Sequence, residues 1–453
     1  MINFSKLKNK FSPQIILVLS FFTAILIGAI LLTTDFASAE NPIGIIDALF
    51  TSASATCVTG LVVVDTGTQF NTIGQTIILI LIQIGGLGVM SFSTLFLFYF
   101  RGKLGIGSRE IIQETLSSDS SEVNKLLKSV FVYTFVIELI GAVLLFVRFI
   151  ETMPLSEAIY TSIFHSISAF CNAGFSTFSD SLVRYQDDLF VNMVFMALII
   201  LGGLGFIVLH ELGKFRKTKF SWYKLSIHSK IVLLTSLILI ISGTVFIYTF
   251  DYNNAFKNNS IFGGLLTSLF QSVTARTAGF NSVEMTNLSM QSLVILTILM
   301  FIGASPASCG GGIKTVTLAV LFAYVRAKLN DKKNTNIFYR TLPSKLVSKA
   351  IIIFSFSIFT VIFFSVMLSF TEIPHVPFHE TGVFFNKVVF EVVSAFGTVG
   401  LSTGITSQFS AIGKLMLTLL MFIGRLGPVT IAYALGAKKT IDIKYANDNV
   451  IVG

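Results

Sequence analysis

Charge is scarce in this 453-residue chain: Asp, Glu, Lys and Arg together make up 12%, against 53% hydrophobic residues and a mean hydropathy of +0.81. Soluble domains carry roughly a quarter charged residues, and so small a supply could not cover a soluble particle of this size. The chain needs lipid as its solvent. Disorder and coiled coil are excluded by the same composition. Cysteine is nearly absent too; Cys57, Cys171 and Cys309 all lie in apolar surroundings, which excludes a disulfide scaffold. The five histidines (His165, His210, His228, His375, His379) do not cluster as metal ligands do. His375 and His379 flank Pro377 and read as part of an outer loop. No G-x-x-x-x-G-K-[ST] run is present and neither GGLG element follows a strand, so the chain itself should bind no nucleotide. No nucleophile–base pair marks an enzyme, and no buried polar constellation marks a receptor.

What the chain has instead is long apolar runs. Eight are long enough to cross a bilayer core, which takes about 20 helical residues: 14–34, 75–100, 129–150, 189–213, 231–250, 291–326, 350–370 and 411–437. Within each successive pair lies a shorter apolar segment, at 43–55, 157–170, 261–274 and 384–396, which reads as a re-entrant or buried helix. The first run sits between KLKNK and ASAEN, much as in a secretory signal. It is longer than the roughly 7–15 residues of a signal core, so a retained helix is expected.

The net charge of +9 has a topological reading. Of the 32 Lys and Arg residues, 24 fall in 1–10, 101–128, 214–230, 326–349 and 438–444, whereas none falls between 35 and 74. The positive-inside rule puts both termini and the three basic loops in the cytoplasm. That accounts for the charge without nucleic acid, and the basic loops also offer a docking face.

Four segments share one form: SATCVTGL (54–61), SAFCNAGF (168–175), VTARTAGF (273–280) and SAFGTVGL (394–401). Each closes a short apolar helix and places Gly60, Gly174, Gly279 or Gly400 before Leu or Phe. The intervals between these glycines are 114, 105 and 121 residues. A second marker follows after 25, 28, 24 and 24 residues, at Gly85, Gly202, Gly303 and Gly424. Two markers in matching order in four places make a repeat. The expected fold class is an all-α polytopic membrane protein. It has four parallel outer helix–pore helix–inner helix repeats (1–115, 116–220, 221–335 and 336–453), with eight transmembrane spans around one pseudo-fourfold pore. Non-helical backbone at membrane depth is tolerated only where it lines water or is buried in protein. Glycine at each turn gives the backbone freedom to aim successive carbonyls at an ion. The negative end of each short helix favours a cation there, and rings of carbonyls replace the hydration shell of potassium.

The turns TCVTGL, FCNAGF, RTAGF and GTVGL resemble the filter turns of the Trk/Ktr/HKT superfamily of cation transporters, over nearly the whole chain. The GASPASCGGGIKT insert, with no further span ahead of the first repeat, is most similar to the membrane subunits of the bacterial Ktr system. That resemblance implies potassium uptake coupled to sodium, a homodimer in the bacterial plasma membrane, and a cytosolic KtrA-type or KtrC-type ring that binds nucleotide. It assigns potassium to the backbone of Val58, Thr59, Gly60, Asn172, Ala173, Gly174, Thr277, Ala278, Gly279, Thr398, Val399 and Gly400. A sodium-preferring relative is the alternative; in that group Ser can replace the first filter glycine, and here the position is Gly60. Organic solute carriers usually show inverted repeats and no row of re-entrant turns.

Two cations lie where they are expensive. Lys314 and Arg425 sit in the third and fourth inner helices, and a charge at mid-membrane needs water or a partner. The third inner helix is also interrupted by Gly303, Pro306 and Gly310, Gly311 and Gly312, which predicts a loop over 303–317. In the family the matching segment is a gate beneath the filter, with the matching Arg across the pore from it. Glu138 and Glu391 read as structural partners. Cys57 and Cys171, three before their filter glycines, read as small packing residues.

Overall fold

In lipid a backbone must satisfy its own N–H and C=O groups, so long apolar runs fold as helices. The computed structural model describes residues 13–88, 123–215, 221–257, 259–373, 377 and 381–427. The first sequence repeat gives α1 (Pro13–Leu32), α2 (Ile45–Thr56) and α3 (Thr72–Leu87). The second gives α4 (Val123–Phe149), α5 (Leu155–Phe170), α6 (Leu189–Leu204) and α7 (Phe206–Lys214). The third gives α8 (Ile227–Asp251), α9 (Ile261–Thr274), α10 (Met290–Phe301) and α11 (Thr315–Leu329). A hairpin of β1 (Asn336–Ile337) and β2 (Arg340–Thr341) leads to α12 (Ser344–Glu372), α13 (Thr381–Gly397) and α14 (Ala411–Leu426). The short helices fall where the sequence predicts them. His375 and His379, the basic stretch 216–220, the segment 89–122 and both chain ends lie outside the described residues.

The inner helices begin on polar caps. Asn71 accepts from the Ile73 and Gly74 N–H groups, Asp188 from Val191, Ser289 from Ser292 and Ser410 from Gly413, at 2.9–3.3 Å. Such caps satisfy donors that a helix start leaves open. Asp251 and Glu372, at the ends of α8 and α12, in turn accept from the Ser289 and Ser410 N–H groups at 2.8 and 3.0 Å.

The outer surface is apolar, and the interior holds polar groups among its apolar clusters. Phe135, Phe359 and Phe370 are 65–71% exposed, whereas Thr134, Glu138, Ser236, Ser357 and Ser365 are buried. Apolar faces toward lipid and polar groups toward the interior are what a bilayer favours. Three helices are long and apolar enough to cross a membrane among the described residues, or four if the bent pair α6–α7 counts as one.

One contact recurs without being visible in the sequence. Ser52, Ser166 and Ser272, on α2, α5 and α9, donate to the Ile25, Glu138 and Ile240 carbonyls of the outer helices at 2.6–2.8 Å. Gly28, Gly141 and Gly243 lie against the same hydroxyls and leave no room for a Cβ. Small-on-small packing of this kind brings helices close in lipid. Around the molecule, α3 packs on α5, α6 on α9, α10 on α13 and α14 back on α2.

The sequence singled out the third inner helix as the interrupted one. That contrast needs correction, because α3, α6 and α14 also stop at glycines with φ of 73°, 89° and 83° (Gly88, Gly205, Gly427). At Gly205 the chain turns by 102° into α7. Side chains resist a left-handed φ, and the last glycine of each GGLG or GRLG element supplies it. Among the described residues the break after α10 is longer than the one after α6: a loop over 302–314, with residues 315–317 already helical in α11.

Candidate functional site

Each short helix runs into a turn with the same pair of left-handed positions. Val58, Asn172, Thr277 and Thr398 have φ of 56°, 58°, 75° and 49°, and Gly60, Gly174, Gly279 and Gly400, two residues on, have 90°, 70°, 78° and 95°. Three of those non-glycine residues are β-branched, for which a positive φ is a genuine outlier. Such strain, on the order of 1–3 kcal/mol per residue, persists only where the surroundings over-determine it. The surroundings here are hydroxyls. Ser54 donates to the Leu61 carbonyl and accepts from the Gly60 N–H (2.7 and 3.1 Å), Ser168 donates to Phe175 (2.7 Å), and Ser394 accepts from Gly400 (3.1 Å).

The third turn lacks the serine six residues before its glycine, and the structure shows why. It is one residue shorter. Thr274 donates to the Phe280 carbonyl at 2.6 Å, and its own carbonyl accepts from Ala278, four residues on, at 2.9 Å. In the other turns the matching carbonyls of Ser54, Ser168 and Ser394 accept from the fifth residue on (Thr59, Ala173, Val399) at 2.7–2.9 Å.

The glycines meet. A Cβ on Gly60 would strike the Ala173 carbonyl and lie 2.9 Å from the Gly174 Cα. Gly174 faces Ala278 and Gly279 in the same way, Gly279 faces Val399 and Gly400, and Gly400 faces Thr59 and Gly60. The four turns therefore close on one another. Gly85, Gly202 and Gly424 press on the Thr56, Phe170 and Phe396 carbonyls, at or next to the last residues of α2, α5 and α13. In these three places the second sequence marker seats an inner helix on the end of a short one, whereas Gly303 lies against the loop glycine Gly311.

The loop over 302–314 lies against this ring. The Gly311 N–H donates to the Thr398 hydroxyl at 2.9 Å, and Gly310 abuts the Thr277 hydroxyl. The loop crosses the α6–α7 break, where Ser305 and Cys309 donate to the Gly203 and Gly202 carbonyls and Phe206 donates to Ala307 (3.1, 3.3 and 2.9 Å). Gly205 lies against the Pro306 carbonyl. Gly303 lies against Gly311, and Gly312 takes φ of 65°. Lys314 folds back to donate to the Gly310 and Gly311 carbonyls. Arg425 donates to the Cys309 carbonyl of the loop and to the Gly85 carbonyl at the end of α3. The sequence marks Lys314 and Arg425 as cations in apolar runs, and the structure bonds both to the loop over 302–314. Nothing in the sequence points to Gly85, Gly202 and Gly203 as acceptors.

Glu138 accepts from the Gln83 amide at 3.1 Å and lies 3.7 Å from the Cys171 sulfur, joining α4, α3 and the second turn. All three cysteines are buried and free. No group of three or more potential metal-binding side chains occurs among the described residues. Past the second turn, Arg184 pairs with Asp180 at 2.7 Å and lies over the Phe178 ring at 4.6 Å. Burial works against the Asp180 charge, but the Arg184 hydrogen bonds and charge outweigh it and hold the carboxyl below its usual range.

Comparison with known proteins gives a consistent result. The family model described as "TrkH: Cation transport protein" matches residues 6–440. The chain is 41% identical to the Ktr system potassium uptake protein B of Bacillus subtilis, over 98% of this chain and 97% of that one. It is 36% identical to the potassium/sodium uptake protein NtpJ of Enterococcus hirae, over 99% of each. The potassium transporter TrkH of Vibrio parahaemolyticus superposes with a TM-score of 0.72 at 17% identity, covering 94% of this chain and 86% of that one, and so shares the fold.

Proposed function

Since this chain belongs to the TrkH family of cation transport proteins, we propose that it carries potassium into the cell through the ring of four turns. The family is one of ion transporters rather than enzymes, and its members are multi-pass membrane proteins. The single observation that supports the reading best is the ring itself: strained residues alternate with glycines in four turns whose glycines face one another. Alternating signs of φ let successive carbonyls face one side of a strand, and stacked carbonyls can replace the hydration shell of potassium. Four short helices end at the ring, and their negative ends add to its attraction for a cation.

In this reading the protein has four repeats and eight spans around one pseudo-fourfold path. Val58, Thr59, Gly60 and their counterparts, Asn172 to Gly174, Thr277 to Gly279 and Thr398 to Gly400, supply the filter carbonyls. The loop holding Gly303, Pro306, Gly310, Gly311, Gly312 and Lys314, pinned by Arg425, is the gate. Its backbone has few internal bonds and lies on two of the turns, so a small shift blocks or opens the path. Sodium as a coupling ion is supported by the potassium/sodium uptake name of the Enterococcus relative. The name of the Bacillus relative makes it one protein of a system, which supports a partner here. A cytosolic nucleotide-binding regulatory ring on a homodimer in the bacterial plasma membrane, with cytoplasmic termini, completes the proposal.

Uptake of potassium and rubidium by cells that lack their own potassium uptake, with and without sodium, tests the function. Expression that restores growth on low potassium supports it. Folded protein in the membrane that moves no potassium under any sodium condition refutes it.

A further inference from the structure

Glu391 lies on α13, three residues before Ser394, and its carboxylate is fully buried. It accepts four hydrogen bonds from the segment that leaves the fourth turn. The donors are the Thr403 N–H (2.7 Å) and the Ser402, Thr403 and Thr406 hydroxyls (2.8, 3.1 and 2.7 Å). A buried carboxylate is costly unless its oxygens are satisfied in this way. Once satisfied, it fixes residues 402–406 to the helix.

The same position in the second repeat is His165, three residues before Ser168. Its ring nitrogens lie 2.9 Å from the Thr161 carbonyl and 2.9 Å from the Ser176 hydroxyl. Ser176 is the second residue after Gly174, as Ser402 is the second after Gly400. The other two repeats are built differently. Thr51 donates within its own helix to the Asp47 carbonyl at 2.8 Å, and the Gln271 amide has no hydrogen-bond partner among the described residues. In the ring, Gly174 and Gly400 each face Gly60 or Gly279 and not each other. The two turns tied from behind are therefore opposite one another.

We infer that Glu391 and His165 are positioning residues for ion selectivity, holding two opposite turns at a potassium-sized spacing. The inference rests on the filter reading above. The left-handed φ is common to all four turns, so the ties do not create it. A segment anchored within two or three residues of the filter glycine limits how far that turn can move. Neither side chain touches the ion path in this account. Each acts through the backbone it holds.

Hydrogen-bond bookkeeping separates geometry from charge. In Glu391→Gln the amide oxygen keeps the Thr403 and Ser402 donors. The amide nitrogen donates to Thr406, whose hydroxyl turns to Ser402, 3.0 Å away. The clamp survives without its charge, whereas Glu391→Ala removes it. The full-length protein in liposomes, with its folded fraction checked by size exclusion, should show the potassium-to-sodium flux ratio falling about tenfold in Glu391→Ala. Glu391→Gln should stay within about twofold of the parent. If Glu391→Ala is not recovered folded, Thr406→Val removes one donor and should lower the ratio about threefold. An unchanged ratio in the folded Ala or Val variant overturns the inference, and so does a Gln variant that falls as far as Ala. Gly400→Ser is the companion arm: a lower ratio there with Glu391→Ala unchanged sinks this inference alone. A ratio unmoved in both sinks the filter reading beneath it.

Discussion

The Gly311 N–H donates to the Thr398 hydroxyl at 2.9 Å, which joins the loop of the third repeat to the strained turn of the fourth. Thr398 holds a φ of 49°, and on the loop's other flank Gly310 is packed against the Thr277 hydroxyl. The loop therefore lies against two turns at once. It has no helix of its own to make it rigid, and two arrangements of such a segment can differ by little free energy.

Deleting residues 304–311 should raise potassium flux and lessen its dependence on any regulatory partner, with the potassium-to-sodium ratio largely kept. Flux in liposomes with and without added partner measures this. A folded deletion variant that stays slow would remove the gate from the proposal.

Arg425→Ala should act in the same direction. The guanidinium links the Cys309 and Gly85 carbonyls, so its loss frees the loop from α3 and removes a positive charge near the path. Hydrogen bonds to a charged group are worth about 1.5–3 kcal/mol each, enough to shift the open–closed balance about tenfold or more. Arg425→Lys keeps the charge but cannot fork between two acceptors. It should fall between parent and Ala. A Lys variant with the flux of the parent would show that charge alone, and not the bridge, holds the loop.

Replacing Gly60, Gly174, Gly279 or Gly400 with Ser or Ala sets a Cβ against the next turn and strains a left-handed backbone position. A cost of about 1–3 kcal/mol local to the ring should lower potassium preference about tenfold while leaving the fold intact. Parallel potassium and sodium uptake by the four variants is the measurement. Parent selectivity in all four would end the filter assignment.

Lys332 and Lys333 are exposed beside the β1–β2 hairpin, in a stretch with Arg340, Lys345 and Lys349. Neutralising the pair should weaken a cytosolic partner, most at low salt and least at high salt, because screening already removes part of an exposed charge's contribution. Co-purification over a salt series reads this out. Equal retention of partner by parent and variant at low salt would leave these lysines with topology alone.

The sequence by itself determined the chain's apolar character and the four spaced glycine turns. Apolar runs, clusters of basic residues and glycine before Leu or Phe in four places are local patterns, and their physics is local: hydration, charge and backbone freedom. It also exposed Lys314 and Arg425, because a cation in an apolar run stands out at once. Other features of the site join residues far apart in the chain, and only the tertiary structure decided them. Arg425 meets Gly85 across 340 residues, and Gly311 meets Thr398 across 87. Glu391 reads in the sequence as a structural partner, but which groups it partners, four donors from residues 402–406, only folding decided. Thr274 took over the serine's role because the third turn is one residue shorter, a register that only hydrogen bonds reveal. Glycine at a helix end and glycine in a packed helix look alike in a sequence. Which of the two Gly88, Gly205 and Gly427 would be depended on what the fold placed beside them.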